Sequence, residues 1–148
     1  MDLKLFAERL NDLIFENKLS VGEVAKQSGV ARSSIYEYLG GEKMPTLKNV
    51  LSLADYFKIS TDFLLGLESE NYATEFLSIK PFAERFNEVI KHYDISRYKI
   101  EKDSHLSQST LYYWAKGHTK KPTVEKLIEV ALILGCSLDY LLGRTNTI

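Results

Sequence analysis

The sequence predicts an all-α chain built from two tandem copies of one five-helix unit. Three observations lead there. Phe6-Ala7-Glu8-Arg9 returns as Phe82-Ala83-Glu84-Arg85, and Leu64-Leu65-Gly66 as Leu141-Leu142-Gly143. Residues 6–66 therefore repeat at an offset of 76, which becomes 77 after one inserted residue before Pro122, and 20 of the 61 aligned positions are identical. A long-period repeat of this kind decides the architecture before any local reading. Apolar residues recur at helical spacing in both copies, and no segment alternates with the period of two expected of a half-buried strand. Finally, Ser or Thr stands ahead of the apolar runs and Gly behind most of them, which is the punctuation of helix ends.

Each element follows from its own residues. The opening helix carries Leu3, Phe6, Ala7, Leu10, Leu13 and Ile14 on one face. Its copy carries Ile79, Phe82, Ala83, Phe86, Val89 and Ile90, with Pro81 in a first turn that needs no amide donor. A short second helix follows Ser20, because Ser20-Val21-Gly22-Glu23 has the form of a capping box, and it ends near Ser28-Gly29. A third helix spans 32–39, and its copy 108–115. The fourth opens after Thr46 or Thr123, with a buried stripe of Leu47, Val50, Leu51, Ala54 and Phe57, repeated as Val124, Leu127, Ile128, Ala131 and Leu134. The last runs from Ser60 or Ser137 through the Leu-Leu pair to Gly66 or Gly143. The expected domains are 1–67 and 79–148, joined by a connector over 68–78. Tyr72, Phe76 and Leu77 share a face if that connector is helical, so a docked connector helix is one of its two readings.

Composition narrows the function. At 45% apolar and 26% charged residues, the chain is globular rather than disordered. No apolar run approaches the ~20 residues of a membrane span. Met1-Asp2-Leu3-Lys4 is not the start of a secretion signal, and the single Cys136 allows no internal disulfide. These features point to the cytoplasm and to no membrane partner. Each copy of about 65 residues buries only a thin core, which makes a homodimer a candidate assembly. The net charge of −1 conceals a split: residues 1–68 carry −2 and residues 80–148 carry +3. A polyanion would be better served by the second half. His92, His105 and His118 share no helical face and form no metal set. No phosphate-binding Gly-rich loop and no His-plus-nucleophile arrangement is evident. The reading is a non-enzyme without a cofactor.

Two short helices joined by a tight turn describe a helix-turn-helix. Ala25 is the small residue that lets them approach, Gly29 supplies the turn, and Val24, Val30 and Ile35 form the seam. The third helix is then exposed. Its outward residues are Arg32, Ser33, Tyr36 and Glu37, with Gln108, Ser109, Tyr112 and Tyr113 as counterparts. A helix fits the major groove, and its first turns reach the base edges. Arg32 suits a paired hydrogen bond to guanine and Gln108 one to adenine, with phosphate the alternative for either. Tyr36 and Tyr112 have DNA backbone, a thymine methyl or a neighbouring helix as alternatives. Tyr38 and Trp114 belong on the inward side.

The order of pieces is specific. Val24-Ala25, Gly29-Val30, Arg32-Ser33-Ser34-Ile35, Gly41 to Pro45 and Ser60-Thr61-Asp62-Phe63-Leu64-Leu65-Gly66 follow one another. The second copy has Leu106-Ser107-Gln108-Ser109-Thr110-Leu111, Trp114, Lys116-Gly117, Pro122 and Ser137-Leu138-Asp139-Tyr140-Leu141-Leu142-Gly143. The chain resembles the lambda-repressor-like (Cro/XRE) DNA-binding family, twice over. That resemblance implies a bacterial or phage-derived transcriptional regulator, a repressor, with double-stranded DNA as its partner. Where the family commonly places a phosphate-touching Gln, this chain has Val21 and Arg97, which assigns Arg97 to phosphate. The usual capping Ser/Thr is Ala31 in the first copy and Ser107 in the second. Glu101 replaces Ala25, and His105 replaces Gly29. The loop residues Lys116, Lys120 and Lys121, with Thr119 between them, read as phosphate clamps assisted by the helix start at Thr123, with a solvated basic loop as the alternative; the first copy offers Lys43. The alternative function, motivated by the low net charge, is a protein-interaction module of antirepressor or antitoxin-like kind.

Overall fold

The computed structural model describes residues 1–118 and 122–148. These hold ten α-helices and no strand. Thr119, Lys120 and Lys121, three of the expected phosphate clamps, lie outside the described residues. The chain divides into two compact units, Met1–Glu75 and Phe76–Ile148. The first contains α1 (Leu3–Glu16), α2 (Val21–Ser28), α3 (Arg32–Leu39), α4 (Leu47–Phe57) and α5 (Thr61–Leu64). The second contains α6 (Phe82–His92), α7 (Arg97–Asp103), α8 (Gln108–Lys116), α9 (Val124–Leu134) and α10 (Leu138–Leu142). No helix among the described residues is long and apolar enough to cross a membrane.

Side-chain caps set most of the helix starts. Asp2 accepts from the amides of Lys4 and Leu5 ahead of α1. Ser20 and Glu23 form the reciprocal capping box of α2. Ser60, Ser96, Ser107 and Ser137 each accept from the amide three residues on. Such caps satisfy amides that the first turn leaves without partners.

Two sequence expectations need correction. The sixth helix begins at Phe82 with Pro81 at its N-cap, so Ile79 precedes it and is 46% exposed. Proline biases the residue before it to extended backbone, and the helix cannot run back through Lys80. The connector also forms no helix. Each of its ends is tied to its own unit instead. The Asn71 side chain accepts from the Ser60 amide at 2.9 Å and donates to the Ala73 carbonyl at 2.7 Å. The Leu77 amide donates to the Arg144 carbonyl at 2.8 Å, and the Arg144 guanidinium lies 4.0 Å from the Phe76 ring centre. A segment this short gains little from helix formation alone, because nucleation is unfavourable.

The core of the first unit is Phe6, Leu10, Val24, Ile35, Val50, Leu53, Leu64 and Leu65, all without solvent exposure. Its counterparts Phe86, Ile100, Leu111, Leu127, Val130 and Leu141 are equally closed. Leu53 and Val130 lie off the expected stripe, whereas Leu51 and Phe57 on it are only half-buried. The repeated arginine binds each unit's first helix to its last. Arg9 donates to the carbonyls of Phe63 and Glu68 and packs 4.1 Å over the Phe63 ring. Arg85, 7% exposed, donates to the Tyr140 carbonyl at 2.7 and 3.0 Å and to that of Thr145 at 3.2 Å. The Phe63 and Tyr140 carbonyls, in the last turns of α5 and α10, also accept from the amides of Gly66 and Gly143, so the guanidinium reinforces each helix end.

One pair of aligned positions isolates a backbone effect. Lys58 ends α4 in the left-handed conformation at φ 56°, while Gly135 ends α9 at φ 72°. A side chain there meets the following carbonyl, and glycine does not. Lys58→Gly should therefore raise stability by about 1 kcal/mol and Gly135→Ala lower it by about the same amount, as read from urea unfolding midpoints.

Candidate nucleic-acid interface

Helices α3 and α8 each have one buried edge. In α3 it is Ile35 and Tyr38, 0% and 3% exposed; in α8 it is Leu111 and Trp114, 0% and 1%. The Tyr38 ring packs 5.5 Å from Phe6, and its hydroxyl accepts from Asn49 Nδ2 at 2.8 Å. Trp114 meets Phe82 and Phe86 edge-on, at 5.3 and 5.5 Å. Both aromatics are thus core residues, as the sequence suggests. With that edge fixed, Arg32, Ser33, Tyr36 and Glu37 lie on the solvent side of α3, and Gln108, Ser109, Tyr112 and Tyr113 on that of α8. Their shared spacing makes each set one stripe that begins at the helix N-terminus.

The turn before each stripe is built differently. Gly29 closes α2 at φ 80°, as its residue type demands. In the second unit α7 stops at Asp103, and Ser104 is extended at φ −129°. His105 then needs no left-handed backbone. A carboxylate from α9 braces the turn: Glu129 accepts from the His105 amide at 2.6 Å and lies 2.9 Å from its Nδ1. The amide hydrogen bond holds the Glu129 carboxyl below its ordinary pKa, with desolvation opposing it and the His105 ring adding to the fall. Sequence reading missed Glu129, which stands where the first copy has Ser52. Ser107, an expected contact, spends its hydroxyl on the cap of α8, accepting from the Thr110 amide at 3.1 Å. Helix α3 starts at Ala31 without a side-chain cap.

The cations are also rearranged. The Arg32 guanidinium folds back onto the first turn of α2, over Gly22; a Cβ at Gly22 would stand 2.5 Å from its Nη2. In the second unit Tyr98 takes the place of Gly22 and Gln108 that of Arg32. There the guanidinium comes from Arg97 of α7, 5.4 Å over the Tyr112 ring, and Lys116 Nζ is 5.8 Å from the same ring. Each unit thus carries one guanidinium across its short helix pair, from α3 onto the first turn of α2 in one case and from α7 onto the Tyr112 ring of α8 in the other. Lys43 is drawn to the carboxylate of Glu37, 3.9 Å away and exposed. An exposed pair of this kind is weak and readily exchanged.

On the second unit, Tyr112, Tyr113 and His118 form a triangle of rings with centres 5.7 to 6.4 Å apart. An open depression lies beside them, lined by Gln108, Ser109, Tyr112 and Tyr113. The structure therefore gathers Arg97, Gln108, Ser109, Tyr112, Tyr113 and Lys116 on one unit, and Arg32, Ser33, Tyr36 and Lys43 on the other. Among the described residues no group of three His, Cys, Asp or Glu side chains is placed to hold a metal.

A helix-turn-helix domain family matches residues 7–70, and a second helix-turn-helix family matches residues 87–141. The chain is 30% identical over 82 residues to YobD of Bacillus subtilis (strain 168), named an uncharacterized HTH-type transcriptional regulator; the match covers 55% of this chain and 73% of YobD. No solved structure matches the chain significantly.

The brace at His105 gives a pH expectation. Because folding lowers the Glu129 pKa, its contribution to stability is present above the ordinary glutamate pKa and is lost as pH falls through the lowered one. In a carboxyl NMR titration, Glu129 should show a midpoint below that of an exposed glutamate. Glu129→Gln should remove the corresponding acid limb from the stability profile.

Proposed function

The chain belongs to the Cro/XRE-type helix-turn-helix family of DNA-binding transcriptional regulators, and we propose that it is a sequence-specific repressor of bacterial or phage-derived origin. It acts in the cytoplasm by covering an operator, with α3 and α8 each entering a major groove. The observation that carries this reading is the pair of outward stripes, each starting at a helix N-terminus and each backed by a buried aromatic. Ser33, Tyr36, Gln108, Ser109, Tyr112 and Tyr113 face the base edges, and Arg32, whose guanidinium lies over Gly22 in the free chain, swings out to guanine or takes a phosphate. Arg97, Lys116 and Lys43 hold phosphates, joined by Thr119, Lys120 and Lys121, while Ser107 presents the capped start of α8. Phosphate contacts set register and base contacts set sequence. The charge split gives residues 80–148 the larger share of the electrostatic attraction. A homodimer would bring further stripes to the same operator.

The salt dependence of duplex binding tests this. Affinity for a random-sequence duplex should fall with salt at a slope near −0.9 per phosphate neutralised. Arg97→Ala should make the slope shallower by about 0.9 and weaken all sequences alike. A salt-insensitive or absent interaction with duplex would favour the protein-interaction module instead.

A further inference from the structure

The connector is held more tightly than its length suggests. The first unit keeps its end through Asn71, whose side-chain oxygen accepts from the Ser60 amide at 2.9 Å and whose nitrogen donates to the Ala73 carbonyl at 2.7 Å. The second unit keeps the other end through Phe76 and Leu77. The Leu77 amide donates to the Arg144 carbonyl at 2.8 Å, and the Phe76 ring centre lies 4.0 Å from the Arg144 guanidinium. That guanidinium is 1% exposed and is itself fixed by the Asp139 carboxylate at 2.7 Å. Residues 72–75, between these anchors, are exposed and belong to no helix or strand.

The anchors change the reach of the tether. From Glu68, whose carbonyl Arg9 holds, to Phe82 at the start of α6 there are fourteen residue steps, which extend to about 50 Å at most. From Asn71 to Phe76 there are five, which extend to about 18 Å at most. That ceiling is the same for any orientation of the two units. Linked binding sites gain avidity only where the linker can span both, and they lose it entirely where it cannot. One further turn of duplex moves two half-sites apart by about 34–36 Å. This is twice the anchored span and well inside the unanchored one.

We infer that Asn71, Phe76 and Leu77 set the operator spacing the chain accepts. Held by them, one chain engages its two half-sites at one separation and loses the pair when they are a helical turn further apart. These residues act on specificity through the length of free chain and touch no base. The inference rests on the DNA-binding reading above, and its failure can be told apart from the failure of that reading.

The test uses the full chain. A duplex with two half-sites is selected from a randomised pool, and one helical turn of arbitrary sequence is then inserted between them. Binding is read at one chain per duplex. The unaltered chain should lose about a hundredfold in affinity, the low end of what linkage supplies. Twenty Gly/Ser residues inserted between Thr74 and Glu75 leave every anchor in place and lengthen the tether, and should recover about tenfold or more. Asn71→Ala combined with Phe76→Ala and Leu77→Pro removes the anchors without adding a residue, and should recover affinity as well. Undiminished binding of the unaltered chain to the lengthened duplex, or no recovery with the insertion, overturns the inference and leaves DNA binding standing. Recovery with the insertion but none with the folded triple variant does the same, because residue count alone would then set the reach. If the triple variant does not fold, the insertion decides. A selected motif with a single half-site also overturns the inference. Failure to select any duplex overturns both.

Discussion

The structure depends on one packing contact made twice: a short helix pinned by an aromatic residue on its inner edge. Helices α3 and α8 have only 8 and 9 residues, too few to be stable alone in water. Tyr38 against Phe6 and Trp114 against Phe82 and Phe86 fix their rotation. The outward stripes are ordered because the inner edge is locked. The Phe-Ala-Glu-Arg repeat follows from the same need, since its phenylalanine supplies a ring facing that aromatic. Its arginine, from the same helix, supplies the donors that hold the last helix in place. One four-residue segment thereby ties the beginning, middle and end of each unit.

Around that fixed contact, the two units reach like geometry with unlike residues. A glycine turns the chain in one, and a carboxylate borrowed from α9 steadies the turn in the other. A guanidinium reaches across the short helix pair in both, but it comes from the opposite helix. These exchanges were possible because each places a hydrogen-bond donor, a charge or a bend without touching the buried edge. The charge split has another source, since Tyr113 and His118 stand where the first unit has Glu37 and Glu42.

Much of this was legible in the chain. Period 3.6 places α3 and α8 almost to the residue, and Ser107 marks the start of α8, because those signals are local. The seam of Val24, Val30 and Ile35 is buried as the pattern required. What escaped was long-range. The Arg9 and Arg85 partners lie 54 or more residues away in sequence, and Glu129 is 24 residues from the amide it braces. The connector had a helical face, yet anchors at Asn71 and Leu77 outweighed it. Within the candidate site, the outward positions and Ser107 as the cap of α8 were legible, but the fold-back of Arg32 onto Gly22 was not. That is a choice of partner, which spacing alone does not fix.

A backbone amide NMR titration of the whole chain with a selected duplex bears most directly on the outward stripes. The largest shift changes should fall at residues 32–37 and 108–113, with the amides of Ile35, Tyr38, Leu111 and Trp114 keeping their protection from exchange. Large changes confined to α1, α4 or α9, with both stripes unmoved, would contradict the assignment of these helices as the surfaces that read DNA.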